Sequence, residues 1–362
     1  MAVSFKFSTD QLHIEAVKLL SQLIEIPSVS REEDKTADLL QAYFEGYEVN
    51  VERKGNNIWV KNSGFDPEKP TILLNSHHDT VKPNEGYTND PFEAIEKEGK
   101  LYGLGSNDAG GALVCLIMTF LYFYTNKDLK YNLILAATAE EEISGAGGVR
   151  SILREIGDIS FGIVGEPTLM DMAINEKGLM VLDCYTRGKA GHAAREEGEN
   201  AIYKAMKDIE WFRSFAFPKV SETLGPVKMS VTMIDAGSQH NVVPDTCHFV
   251  VDVRTTDAYD NEETLNVIRS YVGCEVNERS TRLQPSKITK DHEIVKAAEE
   301  LDMYMFGSPT MSDQALMPFP TVKIGPGDSD RSHTADEFIY TDELRDGIIG
   351  YLMLLNRLFK SG

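Results

Sequence analysis

Two histidines and five acidic residues stand where short apolar runs of this chain end. His77 and Asp79 follow the run 71–75, Glu140, Glu141 and Glu142 follow 131–137, Glu166 follows 161–164, and His333 follows 321–324 through a Gly/Asp-rich loop. Asp108 joins them from GLGSNDAGG (103–111), just ahead of a strongly apolar stretch. In open α/β sheets ligands bind beyond the carboxyl ends of the strands, so several strands would deliver these groups to one edge. Imidazole and carboxylate without thiolate suit two divalent ions of borderline softness, zinc foremost, and leave positions for water as catalysis requires. A carboxylate shared between two ions holds them about 3.5–4 Å apart, the spacing of hydrolytic two-metal sites. Asp79 lies two residues from His77, on the same face of an extended chain, and is placed to orient its imidazole. His78 faces the other way and reads as structural. A further acid beside such a cluster can act as general base on water. Singly, a His-x-Asp or a glutamate triplet is commonplace; the joint pattern is not. GLGSND superficially matches a dinucleotide loop, but Asp108 replaces the last glycine of G-x-G-x-x-G and would repel a pyrophosphate.

Positioning these groups requires strands alternating with helices. The opening reads as a helix capped around 8–10, with Leu12, Ala16, Leu19, Leu20 and Leu23 at helical spacing. Further helices are expected over 111–124, 148–156, 291–303 and 341–359, and with the four apolar runs they predict an α/β domain with a mostly parallel central sheet. The middle differs. Strands over 179–186, 227–234 and 247–255, helices over 200–215 and 261–271, and a strand near 274–277 predict an inserted α+β unit. The expected division is 1–176 with 287–362 for the catalytic domain and 177–286 for the insert. At about 150 residues per domain, 362 residues agree with two.

A net charge of −21 argues against a nucleic-acid partner, which needs a basic face, and against an anionic membrane surface. Four scattered cysteines without a C-x-x-C exclude a disulfide scaffold and a thiolate zinc cluster, and fit a reducing cytosol. The first twenty residues lack the apolar core of a signal peptide. The longest apolar run, 113–124, is shorter than the roughly 20 residues needed to span a bilayer. A cytoplasmic protein is expected.

The motifs SHHDTV (76–81), GLGSNDAGG (103–111), TAEEE (138–142), GEPT (165–168), GKAGHAA (188–194), NVVP (241–244), DVR (252–254) and SHTADE (332–337) carry a family resemblance. In this order the chain resembles the two-zinc amidohydrolases and peptidases that include acetylornithine deacetylase, succinyl-diaminopimelate desuccinylase, aminoacylase and bacterial carboxypeptidases. The resemblance implies that His77, Asp108 and Glu166 bind one zinc and that His333, Asp108 and Glu142 bind the other, with Asp108 bridging. Co2+ or Mn2+ could substitute. Glu141 matches the general base, and Asp79 belongs to the catalytic set. Glu140 stands where relatives more often have Asp, and Ala109 and Gly110 where they often have a larger residue and Lys. The insert matches a lid and dimerisation domain, implying a homodimer. Its His192 resembles a histidine that enters the partner subunit's site to hold an oxyanion, and Asn241 and Arg254 resemble substrate-binding residues. A cis peptide at Asp108–Ala109 is implied as well.

The expected function is metal-dependent hydrolysis of the amide of a small N-acyl amino acid, N-acetylornithine or N-succinylornithine first, yielding ornithine for arginine biosynthesis. The alternatives are a succinyl-diaminopimelate desuccinylase and a dipeptidase or carboxypeptidase of the same family. A metal-binding protein without activity would be expected to lose Glu141 or a ligand, and none is missing.

Overall fold

The computed structural model describes residues 7–195 and 197–360. The chain divides into two compact units. The first comprises the chain up to Ile174, Ile288–Phe306 and the chain from Ser312, and the second comprises Asn175–Lys287 with Gly307–Met311. Residues 307–311 thus group with the insert, whereas the sequence assigned them to the catalytic domain.

The centre of the first unit is a run of four parallel strands in the order Asn132–Thr138, Thr71–His77, Phe161–Val164 and Thr321–Lys323. Thr71 to His77 lie opposite Asn132 to Thr138, and Asn75 lies opposite Val164, so the carboxyl ends finish together. Every residue of the first three of these strands is buried, the pattern of strands covered on both faces. On one face lies the helix Gly111–Phe123, packed against Thr9–Ile24 and Thr341–Lys360. It is apolar all round, and a helix of that kind must sit in a core. The stretch Ser106–Phe123 meets a length-and-hydropathy test for crossing a membrane, yet 83% of it is buried within the fold. The opposite face is covered around Trp59, Ile134, Ile152 and Ile156. Ser8 and Gln11 form a capping box at the start of Thr9–Ile24, where the sequence places a cap.

The architecture is α/β, with a parallel centre and antiparallel flanks. Val51–Lys54 and Asn57–Lys61 form a hairpin at one edge, and on the other side Met172–Glu176 runs antiparallel to Thr321–Lys323. The outer hairpin strand, VERK, is polar and half exposed, which hides it from a hydrophobicity reading. The helix expected over 148–156 is a 3₁₀ turn, Val149–Ser151, followed by a single helical turn, Leu153–Ile156. Gly148 and Gly157, the latter at φ +89°, leave too few residues between them for more. The helix expected over 291–303 spans only Glu293–Glu299, and Asp302 turns the chain at φ +55°.

The second unit is an antiparallel sheet in the order Lys228–Ala236, Thr246–Thr255, Gly178–Arg187 and Glu275–Glu278. Burial alternates along Gly178–Arg187, and helices Ala201–Ser214 and Asn261–Tyr271 pack on the inner residues around Cys184, Phe212, Phe249 and Leu265. Asn200 and Asp260 cap these helices through their side chains. A two-residue ribbon pairs Gly191–His192 with Val242–Val243. The four cysteines are free thiols.

The helix Gly111–Phe123 is the mechanical centre of the first unit. Phe120 is fully buried and meets Phe44 edge-on with centroids 6.4 Å apart. Phe120→Ala is expected to cost about 3–5 kcal/mol. Denaturant unfolding followed by circular dichroism would show it, and a loss below about 1 kcal/mol would contradict this packing.

Candidate metal and catalytic centre

Five separate segments bring their side chains to the carboxyl edge of the parallel strands. His77 ends its strand, and Glu166 lies two residues beyond Val164. Glu141 and Glu142 sit in the turn after Thr138. Asp108 lies in the turn Ser106–Gly110 that opens the buried helix, with a cis Asp108–Ala109 bond. His333 follows the turn Ser329–Arg331 in the left-handed region, at φ +59°. Unusual backbone of that kind is kept where the surroundings enforce it, often at functional sites.

The two oxygens of Asp108 face two different histidines. Oδ1 is 3.4 Å from His77 Nε2, and Oδ2 is 3.5 Å from His333 Nε2. Glu166 Oε1 and Glu141 Oε2 lie 3.9 and 4.0 Å from His77 Nε2, and Glu142 Oε2 lies 3.0 Å from His333 Nε2. Donor atoms of His77, Asp108 and Glu142 lie within 4.8 Å of one another, as do those of His77, Glu141 and Glu166.

The His77 tautomer follows from its partners. Nδ1 is 2.9 Å from the main-chain oxygen of Asp79, and a carbonyl can only accept, so Nδ1 carries the proton. Nε2 faces the carboxylates; it is buried and has no hydrogen-bond partner among the described residues. The Asp79 carboxylate, expected from the sequence to orient this ring, lies 3.6 Å from Nδ1, beyond hydrogen-bond distance. It instead accepts the N–H groups of Glu141 (3.0 Å) and Glu142 (3.3 Å) and the hydroxyl of Ser30 (2.6 Å). Asp79 therefore anchors the turn that carries the two glutamates, while its carbonyl orients the imidazole.

The electrostatics fit a cation. Burial, only partly countered by the charge of His77, raises the Glu141 carboxyl well above the usual carboxylate range. Burial likewise pushes Glu166 up to about 8. His333 is pushed up to about 9 by its bond to Glu142. Burial alone would lower His77, but the carboxylates of Asp108 and Asp79, 3.4 and 3.6 Å from its ring nitrogens, raise it well above normal. Acids that resist ionising beside imidazoles that hold protons indicate excess negative potential, which divalent ions would relieve. Together with the orphaned Nε2, the donor set fits metal ions.

Glu140 takes a different part. At φ +54° it turns away, and its carboxylate accepts the Gly147 N–H at 3.2 Å. His78 is structural, with Nε2 on the Asn56 carbonyl and Nδ1 beside the Thr36 hydroxyl. Two buried acids escaped the sequence reading. Asp313 accepts Asn75 Nδ2 (2.9 Å) and the Thr138 hydroxyl (2.7 Å), tying two central strands just before His77 and the glutamate turn. Glu337 lies in SHTADE and accepts backbone N–H groups of the Asp108 loop. An acid next to the short strand Phe338–Tyr340, whose Ile339 is buried, was the available signal.

In the second unit, His192 and Asn241 are exposed neighbours: the Asn241 carbonyl accepts the Ala193 N–H at 2.9 Å. Arg254 lies apart from them. Its Nε and Nη2 donate to the two carboxylate oxygens of Asp252, at 2.8 and 3.1 Å.

Comparisons with known proteins agree with this geometry. The profile of peptidase family M20/M25/M40 matches residues 73–357. The chain is 27% identical to an acetylornithine deacetylase of Myxococcus xanthus, covering 90% of this chain and 92% of the relative. It is 24% identical to a succinyl-diaminopimelate desuccinylase of Orientia tsutsugamushi, over 90% of this chain and 85% of the relative. The fold is shared with an aminopeptidase of Bacillus cereus at 18% identity, with TM-score 0.75 over 98% of this chain and 99% of the other. It is also shared with a dinuclear metal-binding peptidase of Bacillus subtilis at 16% identity, with TM-score 0.71 over 97% and 99%. With its acids and imidazoles gathered at one sheet edge and the profile matching most of its length, the chain belongs to peptidase family M20/M25/M40 and is a hydrolase of that family.

Proposed function

We propose that this hydrolase cleaves the amide of a small N-acyl amino acid, N-acetylornithine or N-succinylornithine foremost, releasing ornithine for arginine biosynthesis in the cytoplasm. The observation that carries the metal-dependent part is Asp108 facing His77 with one oxygen and His333 with the other. The substrate class rests on the deacetylase and desuccinylase relatives. Succinyl-diaminopimelate is the second reading, favoured by the Orientia relative.

On this reading His77, Asp108 and Glu166 would hold one Zn2+ and His333, Asp108 and Glu142 the other, with Co2+ or Mn2+ able to substitute. Zinc there supplies Lewis acidity toward the amide carbonyl and acidifies a water. Glu141 suits the proton transfer: its carboxylate makes no hydrogen bond among the described residues, and burial raises its basicity. It takes the proton of the attacking water and returns it to the leaving amine. His192 would hold the oxyanion, and Asn241 and Arg254 the substrate. The bidentate bond to Asp252 fixes the Arg254 fork and leaves Nη1 to meet a carboxylate.

A homodimer through the second unit belongs to the same proposal. Lys228–Ala236 is an edge strand with Met233 and Ile234 exposed, and Tyr203 and Met206 are exposed on helix Ala201–Ser214. An open edge beside exposed apolar side chains is suited to a symmetric partner. His192 would then serve the partner's site.

Three measurements test this reading. Glu141→Gln is expected to retain both metals and lose about 10²–10⁴ in turnover, whereas Glu142→Ala loses the second metal. Equal zinc loss from both variants after dialysis would contradict that division. A panel of N-acetyl- and N-succinyl-ornithine, N-acetyl-lysine, succinyl-diaminopimelate and dipeptides is expected to show the acylated ornithines cleaved best. Preference for dipeptides would replace the substrate assignment. Finally, mixing His192→Ala chains with Glu141→Ala chains under subunit exchange is expected to restore activity, because one site of a mixed dimer carries neither defect. Proven exchange without recovery would place the action of His192 within its own chain.

A further inference from the structure

We infer that Glu337 is a positioning residue for the bridging aspartate: its carboxylate clamps the backbone of the Asp108 loop so that both oxygens of Asp108 face their histidines. The inference rests on the two-metal reading above. Glu337 Oε1 accepts the N–H groups of Asn107 (2.8 Å) and Asp108 (2.9 Å), and Oε2 accepts that of Gly105 (3.1 Å). Its main-chain oxygen accepts the Gly103 N–H at 3.0 Å. Four of the six backbone donors between Gly103 and Asp108 therefore end on one residue, which is 1% exposed. The other two, on Leu104 and Ser106, go to the carbonyls of Pro91 and Gly103.

A tight buried loop satisfies few of its own donors, here only that of Ser106, and an unpaired buried N–H is costly. A carboxylate is the side chain able to accept several at once, and charge-assisted bonds of this kind are the stronger ones. The arrangement also joins the two ends of the site. Glu337 is four residues beyond His333, and the following strand, Phe338–Tyr340, pairs with Lys100–Tyr102 just before the loop. Asn107 makes the reciprocal tie: its Oδ1 accepts the Asp328 N–H and its Nδ2 donates to the Asp328 carbonyl, both at 3.0 Å. SHTADE thus supplies His333 directly and holds Asp108 through Glu337. Because Asp108 would be shared by both ions, loosening it should weaken both, whereas losing a ligand specific to one should weaken that one.

The test is a Co2+ titration of metal-free protein, read by visible d–d absorption and by chelator competition. Wild type is expected to bind two ions. Glu337→Gln keeps the shape but turns an amide NH2 toward backbone donors; it is expected to weaken both binding constants by about 10–100-fold and to alter the Co2+ spectrum. His333→Ala should lose the second ion only. Glu337→Asp keeps the charge but is one methylene shorter, and it should show the same double loss. Wild-type constants for both ions in Glu337→Gln, with only a lower melting temperature, would make Glu337 merely structural and overturn the inference. If Glu337→Gln fails to fold, Glu337→Asp decides by the same two outcomes. Failure of wild type to bind Co2+ would overturn the two-metal reading itself, and the inference with it.

Discussion

Negative charge crowded into a dry pocket is the constraint on which the rest of this structure depends. Asp108, Glu141, Glu142 and Glu166 surround two imidazoles, while Asp79, Asp313 and Glu337 lie buried behind them. Two like charges about 4 Å apart repel by roughly 4 kcal/mol even at an effective dielectric constant of 20. The protein meets this in two ways. The rear carboxylates are spent on N–H and O–H donors: Asp79 on the glutamate turn, Glu337 on the Asp108 loop, and Asp313 on Asn75 and Thr138. The front ones are left facing one another and the imidazoles, an arrangement whose natural complement is a pair of cations. The rear layer therefore does geometric work, and the front layer is free for chemistry.

The core makes this crowding possible. Parallel strands in register finish together, so residues far apart in sequence arrive at one level without long loops. The buried helix then starts directly beneath the cluster, and its first turn has no spare room. A Cβ on Gly110 would lie 2.4 Å from the Gly105 carbonyl oxygen, and one on Gly165 would lie 2.7 Å from Leu116. Glycine at these two positions lets the Asp108 and Glu166 loops close down on the helix. Packing of the helix and placement of Asp108 and Glu166 are therefore one problem.

Much of this was legible in the sequence, and the reason is the same register. An acid or histidine just past an apolar run can be read as a strand-end group, and His77, Glu141, Glu142, Glu166 and His333 were found that way. What escaped were residues whose role lies in hydrogen bonds to distant backbone. Glu337 binds a loop about 230 residues earlier, and Asp313 joins two strands formed long before it in the chain. Neither leaves a periodic trace. The Asp79 reading was right about the face and wrong about the bond, because a period of two fixes the side a residue occupies but not whether its carbonyl or its carboxylate reaches the ring. The polar edge hairpin and the short turns at 148–156 were missed or overextended because their character comes from edge position and flanking glycines rather than from hydrophobic pattern.

The second unit poses a geometric question of its own. The ribbon carrying His192 and Asn241 leaves the sheet where Thr246 pairs with Arg187, while Arg254 stands eight residues further along the same strand, about 26 Å away at a strand's rise per residue. A small N-acyl amino acid is far shorter than that. If both ends of the unit contact substrate, as proposed, they must contact different substrate molecules. The proposed two-fold pair of chains would resolve this: each second unit would offer Arg254 to one site and His192 to the other. Assembly would then be part of catalysis, because an oxyanion donor that comes from a second chain would be present only when the dimer is.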